Sequence, residues 1–394
     1  MIRISKTTRE FIILCVAVTY LLTGNLLAVF STGFPYRDYF RVFLAAWGGI
    51  VAFETINVRR IALDNVLSKL FFFILLAIPT TLTFYLARYE INWAVFQVFD
   101  ALVWVGVFAI AYRVGLREPD MIIRCSSIVA CSIVIYAALF TQVKIFSAGR
   151  GIPLVSTAYY TLFFLPFALL SKNKIIKWGG TVLVLYTLLL CMKRTGFIAF
   201  IVGIVVYYLI EFKAAPKGSW KRLIVVLGGL AAFVAIYFFI MQNTKGTYSV
   251  IDRLLSTGQT SNEGREEVWP ATINMIKHSN FLEWIFGHGF DTVIEDSPLQ
   301  LSAHCDFLEV IYDYGLCGMI LYIGFYKSLW KGFVKLYHSG SELAAPMGFT
   351  FVVSFVVSLF SHLIIFPSYF LGFCLFWGLT MGAIDSKEEN TLRY

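Results

Sequence analysis

The sequence predicts an all-α, polytopic membrane protein of about twelve transmembrane helices, with short connections and one long loop. Three observations predict it. The chain of 394 residues is 59% hydrophobic and only 14% charged, with mean hydropathy +0.76, whereas soluble domains carry about 25% charged residues. Apolar windows long enough to cross roughly 30 Å of hydrocarbon recur along the whole length. The connections between them alternate in basic content, as they do in a chain that weaves through a bilayer.

The windows fall near residues 11–31, 40–57, 66–87, 91–112, 121–141, 154–171, 175–192, 195–212, 222–241, 310–330, 344–365 and 368–384. The basic stretch Met1 to Arg9 precedes an apolar run, Phe11 to Phe30, that is long enough to span, so it reads as an anchored first helix rather than a cleaved leader. The second window is the weakest, with Arg41 and Glu54 near its ends. With the N-terminus inside, each returning connection is basic: Arg59 and Arg60, Arg113 and Arg117, Lys172 to Lys177, Lys213 to Arg222, Lys331 and Lys335, and Lys387 in the tail. Both termini are therefore expected on the cytoplasmic side. The net charge of +8 follows from this topology, and the reading includes no nucleic-acid partner. The seven cysteines are scattered, mostly through apolar runs without a CxxC pair, and read as small buried hydrophobes.

This divides the chain into residues 1–241 (helices one to nine), 242–309 (an outward-facing loop) and 310–394 (the last three helices and a short tail), together one integrated membrane domain. Within the loop, Trp269, Ile273 and Ile276 recur at i, i+4 and i+7, one face of an amphipathic helix. Pro270 fits such a helix in its first turn.

Ionisable residues gather where this loop re-enters apolar sequence, in LSAHCDFLEVIYDYG at 301–315. In a helix running from 304, His304 would share a side with Leu308, Ile311 and Gly315, and Asp306 would lie opposite with Glu309 and Asp313. Alternatively, Asp306 is an N-cap with Glu309 at the third position, both favoured by the helix dipole, and His304 sits in the loop just before. His304 has two readings: an interfacial histidine satisfied by backbone, or a group that touches substrate, since imidazole titrates nearest neutrality. His288, between glycines in FGHGF, is either a plain tight turn or a close backbone approach to a ligand. Asp100, deep in the fourth window, is either the partner of an arginine on another helix or functional. Arg150, Lys193, Arg194 and Arg265 sit at or next to outer helix ends, places where a cation needs a reason. His278, His288, Asp291, Glu295 and Asp296 match no closed metal-ligand spacing, so no metal is expected.

GREEVW at 264–269, FGHGF at 286–290, AHCDFLE at 303–309 and DYGLCG at 313–318 occur in order, with GRGIPL at 149–154 and KRTGFIAF at 193–200 upstream. In these segments the chain resembles the O-antigen polymerase and O-antigen ligase superfamily of bacterial envelope glycosyltransferases. Cys305 and Lys193 stand where that pattern commonly has Asn or Ser and Ser; the histidine and the arginines are retained. The resemblance implies a GT-C-like fold with its long loop in the periplasm, and a cofactor-free, metal-independent enzyme of the inner membrane. That enzyme takes glycan from an undecaprenyl-diphosphate-linked oligosaccharide among membrane lipids, alongside a chain-length regulator protein. It implies His304 and Arg265 as catalytic and Arg150, Lys193, Arg194 and Arg265 as diphosphate-binding; Asp306, Glu309, His288 and Asp100 stand as further candidates on the residue readings above. A polymerase is the leading expectation and a ligase the near alternative. A flippase for the same lipid-linked glycan is the alternative from another class, and the absence of visible internal repeats speaks against it.

Overall fold

The computed structural model describes residues 5–27, 37–59, 65–85, 87, 94–148, 159–191, 194–214, 224, 228–229, 231, 235, 265–364 and 367–392. Among these residues every regular element is helical and no strand occurs. The helices are α1 (Lys6–Leu27), α2 (Arg37–Arg59), α3 (Val66–Thr80), α4 (Ala94–Arg117), α5 (Met121–Ala130), α6 (Ser132–Ala148), α7 (Tyr159–Leu170), α8 (Lys174–Cys191), α9 (Arg194–Ala214), α10 (Arg265–His278), α11 (Phe281–Phe286), α12 (Thr292–Asp296), α13 (Asp306–His338), α14 (Ala344–Phe360) and α15 (Pro367–Leu392). Each expected window holds a helix except 222–241, most of which lies outside the described residues.

Seven of the described helical runs are long and apolar enough to cross a membrane: α1, α2, α3, α5 continued into α6, α9, α13 and α15. Shorter apolar helices, α7 and α14, pack among them. The chain is therefore a polytopic membrane protein. Helices are the element that hydrocarbon demands, because each backbone donor and acceptor must be satisfied within its own segment. Local sequence sets their ends: Asn65 caps α3 by accepting from the Leu67 amide at 2.8 Å, and Pro79 removes a ladder bond just before the chain loosens into a π-helical turn at Thr81–Tyr85.

α15 is the central post, with 94% of its spanning window buried. It lies against α4 because Gly378 and Gly382, four residues apart, leave room for the other backbone. A Cβ on Gly382 would fall 2.2 Å from the Tyr112 carbonyl oxygen, and one on Gly378 would fall 2.5 Å from that of Phe108. Small residues four apart let helix backbones approach closely where no hydrophobic force separates lipid from protein. Because the obstacle at Gly382 is backbone, Gly382→Val must push the helices apart. It is expected to cost about 1–3 kcal/mol or more, read as a lower melting temperature in detergent.

Ion pairs staple one end of the bundle. Glu10 on α1 pairs with Arg113 and Arg117 on α4, Arg124 with Glu118 at 3.2 Å, and Asp385 on α15 accepts from Tyr112 at 2.5 Å and Asn65 at 2.7 Å. The opposite end carries the start of α13, overlain by α10, α11 and α12. The amphipathic helix expected in the loop exists as α10, but its buried stripe is offset from the expected one. Val268 and Thr272 are buried and Met275 and Ile276 pack with them, while Ile273 is 41% exposed. Three apolar positions in a row of mixed residues did not fix the face, because Val268 outcompetes Ile273 for the small core of Val293, Ala303 and Tyr312. Pro270 is the sixth residue of α10, in its second turn rather than its first.

Candidate active site

α13 starts at Asp306, and its first turn carries Asp306 and Glu309. The cap is Cys305, which makes no side-chain cap bond; Asp306 is the first helical residue. Both acids are buried completely, and both hold neighbouring backbone. Asp306 Oδ1 accepts from the amides of Leu363 at 2.7 Å and Ile364 at 3.3 Å, and Oδ2 accepts from the Tyr322 hydroxyl at 3.1 Å. Glu309 Oε1 accepts from the Ala303 amide at 2.5 Å, and the Trp269 indole donates to the Ala303 carbonyl at 2.9 Å. Two carboxylates one helical turn apart thus pin two chain segments, 302–304 and 361–364.

Each pinned segment carries a histidine. The Nδ1 atoms of His304 and His362 lie 2.9 Å apart, with rings stacked at 4.7 Å between centroids and 23° between planes. Ser302 Oγ lies 3.1 Å from His362 Nδ1 and 3.5 Å from His304 Nδ1. His362 is buried and His304 partly so. His304 has φ of +51°, a left-handed conformation that costs a non-glycine residue about 1 kcal/mol or more. Burial, with Asp306 and Glu309 beside it, pushes the Cys305 thiol pKa up, which keeps it a thiol rather than a nucleophilic thiolate.

FGHGF docks two turns further along α13, where that helix breaks. Gly315 adopts φ +62° and ψ −163° inside it. The break exposes the carbonyls of Tyr312 and Asp313, which accept from the amides of His288 at 3.1 Å and Gly289 at 2.8 Å. The approach is close enough that a Cβ on Gly287 (φ +82°) would lie 2.2 Å from the Asp313 oxygen. His288 is buried, stacks on Tyr312 at 4.0 Å, has Nδ1 3.0 Å from the Tyr312 carbonyl and Nε2 3.3 Å from Glu283. These contacts lock the loop onto α13. The ionisable groups nearby are also engaged: Asp313 accepts from Thr292 at 2.9 Å and from the Asp291 amide at 3.0 Å, Asp296 accepts from Tyr312 at 2.6 Å, and His278 Nδ1 is 2.8 Å from the Asn274 carbonyl.

Of the residues singled out in the sequence, His304, Asp306 and Glu309 come together. Arg194 opens α9, and the next residue, Thr195, donates to the Phe360 carbonyl at 3.2 Å. That bond ties the start of α9 to the chain two residues before His362. Arg265 opens α10, the helix that holds Ala303 through Trp269; its side chain, like that of Asp100 on α4, lies outside the described residues, as do Arg150 and Lys193 altogether. His362 is the residue that sequence reasoning missed. Its one signal is an ionisable side chain at the end of an apolar span, in SHLIIF at 361–366.

Residues 179–323 match the model of a family described as O-antigen ligase, Wzy_C. The match runs from α8 to the middle of α13 and takes in Arg194, Arg265, His288, His304, Asp306 and Glu309, while His362 falls beyond it. No curated protein matches the chain. Over residues 179–323, then, the chain is similar to the family described as O-antigen ligase, consistent with the resemblance that its sequence motifs carry.

Proposed function

We propose that the chain is a polysaccharide polymerase of a bacterial inner membrane. It transfers glycan from undecaprenyl diphosphate to a lipid-linked repeat unit, with inversion and without a metal, on the periplasmic face. The observation that carries this reading is the gathering of His304, His362, Asp306 and Glu309 at one end of the bundle, beside the helix that Arg194 opens. That these four residues gather at one end, away from the midplane, supports a one-sided enzyme over a transporter, whose sites lie near the midplane between repeats.

In the reaction, the acceptor hydroxyl gives its proton to His304 as its oxygen bonds to the anomeric carbon. The bond from that carbon to the diphosphate oxygen breaks, and the electron pair leaves with the lipid diphosphate. Arginine forks at Arg150, Arg194 and Arg265, with Lys193 as a point charge, would stabilise the charge growing on the leaving group. Arg194→Lys keeps the charge but loses the fork. It is expected to lower turnover about 10- to 100-fold, the worth of one or two charge-assisted bonds.

The ligase is the second reading, favoured by the description of the matching family. Proteoliposomes given the undecaprenyl-diphosphate-linked repeat alone separate the two. A polymerase yields a ladder of lengthening lipid-linked chains on a gel. A ligase yields no ladder, but transfers preformed polymer once lipid A core is added.

A further inference from the structure

The contact between His304 and His362 contains information about protons. Two imidazole nitrogens 2.9 Å apart attract only when one carries a hydrogen and the other a lone pair. With both rings neutral there are two arrangements. In one, His304 donates from Nδ1 and keeps a lone pair at Nε2; in the other, His304 accepts at Nδ1 and carries its hydrogen at Nε2. Only the first leaves His304 able to take a proton from an acceptor hydroxyl. In that arrangement the Nε2 lone pair is the one that base chemistry would use.

The fold holds this contact together at a cost. It keeps His304 in the left-handed region and buries two carboxylates, each bonded to the backbone of one histidine's segment. An incidental pair of histidines would not require both anchors. The His362 segment lies 58 residues from His304 and outside the stretch that matches the family model.

We propose that His362 is a positioning residue for His304: its Nδ1 accepts the His304 Nδ1 hydrogen, fixing the tautomer whose Nε2 serves as base. The proposal rests on the reading of His304 as the base. When His304 takes the acceptor's proton at Nε2, the imidazolium shares its Nδ1 hydrogen with His362, spreading the positive charge over two rings. The extra proton then leaves to water as the diphosphate departs. A neutral acceptor does here what a carboxylate does for histidine in hydrolase triads.

The titratable groups nearest the pair are Asp306, Glu309 and Tyr322 on α13 and the Cys305 thiol, with Arg194 at the start of the neighbouring α9. Sharing the hydrogen favours the charged form of His304, so losing His362 makes His304 a weaker base. The acid limb of the pH–rate profile moves to lower pH as a result.

The test compares wild type, His304→Ala, His362→Leu and His362→Asn, each in proteoliposomes with undecaprenyl diphosphate carrying the cell's own oligosaccharide repeat, from pH 5 to 9. The asparagine amide places an acceptor oxygen near the position of Nδ1. His362→Leu is expected to lose about 10- to 100-fold in turnover, the usual cost of deleting the group that orients a working histidine, with the acid limb shifted down. His362→Asn is expected to recover most of the rate. His304→Ala with near-normal turnover would sink the base assignment itself. An inactive His304→Ala beside a His362→Leu enzyme with wild-type rate and profile would overturn the role of His362 alone. So would leucine and asparagine variants that lose activity equally with an unshifted profile, since that marks mere packing.

Discussion

Replacing His304 by alanine is expected to lower glycan transfer by about 10²- to 10⁴-fold, the usual worth of a positioned general base, while the bundle stays folded. The imidazole lies at the edge of the protein, partly buried, and its neighbours are held by other groups. Asp306 grips the 361–364 segment, and Glu309 and Trp269 grip Ala303. Its backbone is the complication, because φ of +51° is as unfavourable for alanine as for histidine. His304→Asn answers it: asparagine tolerates the left-handed region better than other side chains, yet offers no base near neutral pH. Both variants should melt in detergent within a few degrees of wild type, and both should be inactive in the polymerisation assay.

Asp306→Ala is expected to affect both stability and activity. Two buried backbone amides, of Leu363 and Ile364, lose their acceptor together, and the Tyr322 hydroxyl keeps only Ser358 Oγ of its two partners on this side. Each buried donor left unmade costs about 1–3 kcal/mol, so the loss should be several kcal/mol in all, enough to free the 361–364 segment even if the bundle survives. With that segment displaced, His362 no longer meets His304, and turnover should fall further than the stability loss explains. Asp306→Asn keeps an amide oxygen for the Leu363 amide, and Tyr322 can turn its hydroxyl to accept. It should retain most of the stability and a substantial share of the rate. Equal loss in the two variants would show that the negative charge, and not the hydrogen-bond geometry, is what this position supplies.

How much of this was legible in the sequence depended on the range of the interaction. Spans were legible because hydrocarbon imposes a length and an apolar composition that a window of some twenty residues reports. His304, Asp306 and Glu309 come together because they lie within one short stretch, although the capping reading puts the cap at Asp306 where the chain uses Cys305. The acid proved more useful bonding across to another segment than capping its own helix, a choice made by residues far along the chain. His362 carried no local pattern; only the fold brings it to His304. The buried face of α10 was misjudged by one position, since Val268 and Ile273 differ little in hydropathy and packing against Val293 and Tyr312 decides between them. The α4–α15 contact rests on GLTMG at 378–382, a spacing that names no partner until the fold shows which helix lies opposite.

The central claim is that a glycosidic bond is made at the His304 end while a lipid diphosphate leaves. The most direct test is to seal the purified chain into vesicles with undecaprenyl diphosphate carrying a labelled repeat unit and a chelator, and to follow both the glycan and the free lipid diphosphate. Each unit of chain growth is expected to release one undecaprenyl diphosphate, and His304→Asn to abolish both together. Labelled repeat that crosses the bilayer still attached to its lipid, with no diphosphate released, would contradict it.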